Sequence, residues 1–142
     1  MNNDAFEYLL NYAWDRKIGY ELTQDLTPEA PSFASPEDNL VVINMNWSNK
    51  KELPFQLAHE ITHVTNGDDT QAKLYYHTTY KSKFGVEYKA NVGGAELLIP
   101  FHFSEIDPES ANVDQFMDDY VIPPYLRDNV INEVREYYKI GE

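Results

Sequence analysis

Cysteine is absent from this 142-residue chain. Disulfides and thiolate metal sites are therefore excluded, and the composition fits a reducing compartment. Basic residues are scarce, 11 against 24 acidic ones, for a formal net charge of −13. A chain this acidic has no electrostatic affinity for nucleic acid or an anionic membrane surface, so neither is expected as a direct partner. Long apolar runs are missing as well. No segment approaches the roughly 20 apolar residues that span a bilayer, and Met1-Asn2-Asn3-Asp4 lacks the basic and apolar regions of a signal peptide. A cytoplasmic protein is the expectation. Internal repeats and low-complexity tracts are absent too, and the length suits one core, so a single domain over 1–142 is expected.

What the chain does contain is His59-Glu60-Ile61-Thr62-His63. On a helix, residues four apart share a face, so both imidazoles can bind one Zn²⁺, and Glu60 lies beside them as a general base. A mononuclear zinc hydrolase needs this set: neutral imidazoles for the metal, an open position for a water, and a carboxylate to take that water's proton. Leu53, Leu57, Ile61 and Val64 recur at i, i+4, i+8 and i+11, which predicts one apolar helical stripe with the two histidines to its side. Asn49 or Ser48 could cap its start, and Asn66-Gly67 is a stop signal.

Two histidines and a water leave one protein ligand to find. The candidates are His77, Glu87, Glu96, His102 and Glu105. Over residues 86 to 99, helical steps put Glu87, Ala90, Asn91, Gly94 and Leu98 on one face. Ala90 and Gly94 are small, so this face could approach the first helix closely enough for Glu87 to reach the metal. Glu96 falls on the opposite side, towards water, and Asn91 could orient a ligating histidine by a hydrogen bond. The adjacent Gly93 and Gly94 count against this geometry. Each costs roughly 1 kcal/mol in a helix relative to alanine, so the helix could break there and leave His77 or His102 as the third ligand.

His59-Glu60-x-x-His63, followed by Glu87-x-x-Ala90-Asn91 and Ala95-Glu96-Leu97-Leu98-Ile99-Pro100, resembles the ImmA/IrrE family of metallopeptidases. The resemblance covers roughly residues 6 to 100. It implies an α+β, zincin-like domain in which a small sheet packs on helices. Zinc would be held by His59, His63 and Glu87, with Glu60 as catalytic base. It also implies a protein substrate: members carried by phages and mobile elements typically cleave a helix-turn-helix repressor. Three departures stand out. Val92-Gly93-Gly94 replaces an aromatic and alanine stretch, Glu96 stands where small or apolar residues are common, and Thr62 replaces a frequent glycine.

Around that motif pair, Ala5 to Lys17 reads as a helix with Asp4 as a cap, and Ile18 to Leu22 alternates like a short strand. Pro28, Pro31 and Pro36 punctuate a polar connection before Leu40-Val41-Val42-Ile43-Asn44, the clearest strand. Tyr75, Tyr76, His77, Tyr80 and Phe84 fall between the second histidine and Glu87, where one of them could stabilise an oxyanion. Residues 101–142 form a C-terminal helical part beyond the 1–100 catalytic core. There Phe101, Phe103, Phe116, Met117, Tyr120, Val121 and Ile122 pack a short helix and its exit. Pro123-Pro124 makes a bend, and Tyr125 to Ile140 a last helix with Leu126, Val130, Val134 and Tyr137 or Tyr138 inward.

Acidity favours encounter with a basic partner such as a DNA-binding repressor, and equally serves solubility. Two other functional classes fit the same sequence. One is a zinc-stabilised module that regulates a protein by contact alone; the other is an acidic decoy for DNA-binding proteins, which would not need the metal constellation.

Overall fold

The computed structural model describes residues 1–68 and 85–140, with the side chain of residue 140 outside the description. Tyr75, Tyr76, His77, Tyr80 and Phe84 therefore lie outside the described residues. The remainder is α+β: a three-stranded mixed sheet and five α-helices among the described residues.

Helix α1 spans Asn3–Asp15 and buries Ala5, Phe6, Leu9 and Ala13. Its cap is Asn2, whose side chain accepts from the Ala5 N–H at 3.0 Å, rather than the expected Asp4. Asp4 falls inside the first turn, where its charge still complements the helix dipole. Lys17 turns the chain with φ 61, and the Ile18 N–H returns to the Ala13 carbonyl.

Strand β1 (Gly19–Thr23) starts one residue later than the alternation predicts and pairs parallel with β3 (Leu40–Asn44). Between them in sequence comes β2 (Phe33–Ser35), antiparallel to β3, giving the spatial order β1-β3-β2. Sequence reading places this stretch in a polar connection. Its strand character comes from pairing to β3, a tertiary effect that a three-residue segment cannot advertise. Asn44 explains why the connection is ordered. Fully buried, it donates from Nδ2 to the carbonyls of Thr27 (2.8 Å) and Ala30 (2.7 Å), while its backbone N–H donates to Ser32 Oγ. Ser32 in turn donates to Gln56 Oε1 at 2.9 Å, which fastens the loop to the next helix.

Asn49 caps a 3-10 turn over residues 50–52, accepting from the Lys51 N–H, and α2 (Leu53–Asn66) follows without a break. Leu53, Leu57 and Ile61 are buried as the stripe predicts, each contributing about 1.5–3 kcal/mol of transfer free energy. Val64 is half-buried. Gly67 ends the helix at φ 65, and the Asp68 N–H closes on the His63 carbonyl.

Helix α3 (Val86–His102) runs unbroken through Gly93-Gly94 and through Pro100 in its last turn. The glycines do not break it because they lie where α2 crosses. A Cβ at Gly94 would stand 3.2 Å from the backbone N of His59, and one at Gly93 would overlap the Thr62 methyl. Helix propensity is overridden by a contact that only glycine permits.

Helix α4 (Val113–Tyr120) is capped by Asn112, and α5 (Arg127–Ile140) follows a 3-10 turn, Pro124–Leu126. Tyr125 and Leu126 thus precede the last helix rather than open it. Leu126, Val130 and Val134 are buried, and both Tyr137 and Tyr138 are half-buried. Val121 departs from expectation: it is 38% exposed and takes the left-handed conformation, φ 54, that ends α4. The apolar core is continuous from Ala5 in α1 to Val134 in α5. No described helix is long and apolar enough to cross a membrane.

Candidate metal centre

Two helices bring the site together. His59, Glu60 and His63 stand on α2, held by its buried stripe, and Glu87 and Asn91 stand one turn apart on α3. The close crossing at Gly94 sets the distance between them. His63 and Glu60 are buried at 1% and 5% exposure, and the side chains of His59 and Glu87 are 12% and 15% exposed.

His59 Nε2 and His63 Nε2 are 3.2 Å apart. One oxygen of Glu87 lies 3.0 Å from the first, and its other oxygen 3.0 Å from the second. Ligands 2.0–2.2 Å from a shared ion at tetrahedral angles stand about 3.4 Å from one another, so these separations are close to what such an ion imposes. Glu60 sits one step back, with Oε2 3.9 Å from His59 Nε2. The four positions thus separate into a triangle of His59, His63 and Glu87, and a neighbouring carboxylate. His59, Glu60 and His63 alone already form a group able to hold a metal ion, with their ligand atoms within 4.8 Å of one another.

The far nitrogens decide the tautomers. His59 Nδ1 is 2.7 Å from Asn91 Oδ1, and His63 Nδ1 is 2.9 Å from Asp68 Oδ2. Both partners are acceptors, so each Nδ1 carries its proton and donates it. Each Nε2 then presents a lone pair in the neutral ring. Two lone pairs and a carboxylate converge on one point, where a shared cation would satisfy all three at once. Donor type, separation and tautomer all fit a divalent ion.

Compared with protein-family models, with curated proteins and with solved structures, the chain matches none. The site must therefore be read from its own chemistry.

A cleft of about 730 Å³ opens over the triangle, lined by Pro31, Phe33, Ala34, Trp47 and Phe55 as well as His59, Glu60, Glu87 and Asn91. Its walls are largely apolar and its floor carries the ionisable groups, the usual division in a small-molecule or peptide site. β2 forms one wall and, among the described residues, is an edge strand, with its outer backbone edge facing away from β3.

The remaining ligand candidates sit elsewhere. Glu96 projects from the other side of α3 and is exposed, as its spacing from Glu87 predicts. His102 packs edge-on against Phe103 and Tyr120 and tilted on Phe116, where burial lowers its pKa. Glu105 is exposed beyond the end of α3, and His77 lies outside the described residues.

Sequence reading missed two residues of the site. Asp68 reaches His63 from just past the Gly67 helix cap, and Tyr125 accepts a hydrogen bond from Asn91 Nδ2 at 2.8 Å. The glycine stop signal could have led to Asp68, since a left-handed cap folds the next residue back over the last turn. No local signal points to Tyr125.

Proposed function

We propose that the chain is a zinc-dependent endopeptidase of the ImmA/IrrE type, with a zincin-like fold, acting on a specific cytoplasmic protein. One observation carries this reading: the convergence of His59 Nε2, His63 Nε2 and both Glu87 oxygens within 3.0–3.2 Å, beside the buried Glu60 and under an apolar cleft. Zn²⁺ held by His59, His63 and Glu87 would supply Lewis acidity, acidifying a water and polarising the scissile carbonyl.

The chain's own groups do the rest. Glu60 takes a proton from water as the water oxygen bonds to the carbonyl carbon, and passes it to the amine nitrogen as the C–N bond breaks. Asn91 and Asp68 hold the histidine protons on Nδ1 and so reserve Nε2 for the ion. The β2 edge offers backbone donors and acceptors to an extended peptide, which favours a polypeptide substrate over a compact one. A helix-turn-helix repressor of a phage or mobile element is the substrate that the motif resemblance suggests. The charge of −13 suits a basic protein of that kind.

The test compares wild type with Glu60→Gln. Wild-type protein should carry about one zinc per chain and cut a co-encoded repressor. Glu60→Gln should keep the zinc and the fold but lose cutting by about 10²-fold or more. Full biological effect from Glu60→Gln would instead identify a regulator that works by binding alone.

A further inference from the structure

The cleft over the ligand triangle joins two kinds of surface. Glu60, Glu87 and His59 line it together with Pro31, Trp47 and Phe55. Phe55 is buried one turn before His59 on α2, and its ring centroid stands 6.4 Å from that of the imidazole. Successive residues of an extended peptide advance about 3.3 Å, so apolar surface begins within one or two residues of the ligand triangle.

Trp47 is the part of this lining best suited to reading a ligand. Its indole N–H donates to a Glu52 carboxylate oxygen, which fixes the ring and engages its only donor. What Trp47 offers the cleft is therefore a half-buried aromatic surface. A polar neighbour in the lining is occupied as well: Ser32 Oγ donates to Gln56 Oε1 and accepts from the Asn44 N–H. Charge in the cleft has one sign. Glu37, Glu60 and Glu87 line it, and among the described residues no Lys or Arg does. A large apolar group gains by burial there, whereas a carboxylate meets other carboxylates and no basic side chain.

We infer that the cleft is a specificity pocket for one large apolar side chain of an extended peptide, next to the bond that is cut, and that Trp47 is the residue that reads it. The link to a scissile bond rests on the metallopeptidase reading, whereas the preference for an apolar group and against an acidic one does not. By this inference the substrate is chosen locally by an aromatic or branched aliphatic residue beside the cut, with acidic residues refused at that position.

Two matched ligand series test it. Propanohydroxamate, hydrocinnamohydroxamate and the monohydroxamate of succinic acid share a zinc-binding head and differ in the group beyond it. Propanamide, hydrocinnamamide and succinamate carry the same groups without that head. Trp14→Phe removes the only other indole, 73% exposed on α1, so emission then reports on Trp47. With zinc present, hydrocinnamohydroxamate should bind about 10- to 100-fold more tightly than propanohydroxamate and shift the Trp47 emission. The succinyl compound should bind no more tightly than the propano one. Zinc-free protein should rank the three amides in the same order.

Trp47→Ala, followed by calorimetry, should cut the preference for the phenyl compound to about threefold or less. Trp47→Phe, a smaller ring without the Glu52 bond, should lose part of it and serves if the alanine variant does not fold. Equal binding of the phenyl and propano compounds, tighter binding of the succinyl compound, an unmoved Trp47 emission, or a preference untouched by the Trp47 variants would each overturn the inference. If the protein takes up no zinc, the metallopeptidase reading fails and the amide series alone decides whether the pocket selects apolar groups.

Discussion

Glu96 faces Glu133 across the seam between α3 and α5, where partial desolvation and, secondarily, that neighbouring carboxylate raise its pKa. A carboxyl with a raised folded pKa holds its proton more tightly when folded. Its contribution therefore favours the fold at low pH and is lost as pH climbs through the raised value. Glu96→Gln should raise the melting temperature at pH 7 and make no difference at a pH below both pKa values; paired melts check this, and an equal gain at both would refute it. Val121 offers a second handle. A β-branched residue at φ 54 is strained, and Val121→Gly should stabilise by about 0.5–1 kcal/mol in urea unfolding. At this scale, legibility follows sequence distance. His59, Glu60 and His63 are readable because helical periodicity fixes their relation, and so is Asn91, one turn from Glu87. Asp68 and Tyr125 are not: one depends on how a cap folds back, the other on a contact spanning 34 residues.

Helices α2 and α3 meet through a matched pair of residues, Thr62 and Gly93. Thr62 donates from Oγ1 to the Ala58 carbonyl at 2.8 Å, which fixes its rotamer and sends the methyl group into the space that Gly93 leaves. Alanine at 93 gains roughly 1 kcal/mol of helix propensity but collides with that methyl, so Gly93→Ala should destabilise by about 1–3 kcal/mol. Thr62→Ala should recover much of the loss, a coupling of about 1 kcal/mol or more in a double-mutant cycle by chemical denaturation. Independent, additive effects would rule the pairing out. Gly94→Ala has no such rescue, because what it meets is the backbone of His59. The sequence shows α1, β1, β3, α2 and α5 to within a few residues, since each carries its own periodicity or caps. It leaves the continuity of α3 in doubt and hides β2, because one is decided by a neighbouring helix and the other by a neighbouring strand.

For the molecule as a whole, the candidate ligands stand on α2 and α3, whose buried faces belong to a core that runs continuously from α1 to α5, so ion binding and global unfolding should be linked. Zinc at a thousandfold excess over its dissociation constant should add about 4 kcal/mol of stability, visible as a rise in melting temperature that a chelator reverses. Glu60→Gln should keep that rise and His63→Ala should abolish it. A wild-type melting curve indifferent to zinc would remove the metal from the account. The backbone contact at Gly94 bears on which ion can enter. His59 and Glu87 are carried by helices in close contact at Gly94, so the backbone sets a narrow starting distance between their side chains. On the proposed metal reading the crossing would work as a caliper: ions with bonds near 2.0–2.2 Å would suit donor atoms 3.0–3.2 Å apart, while calcium, at about 2.3–2.6 Å and wanting six or more oxygens, would not.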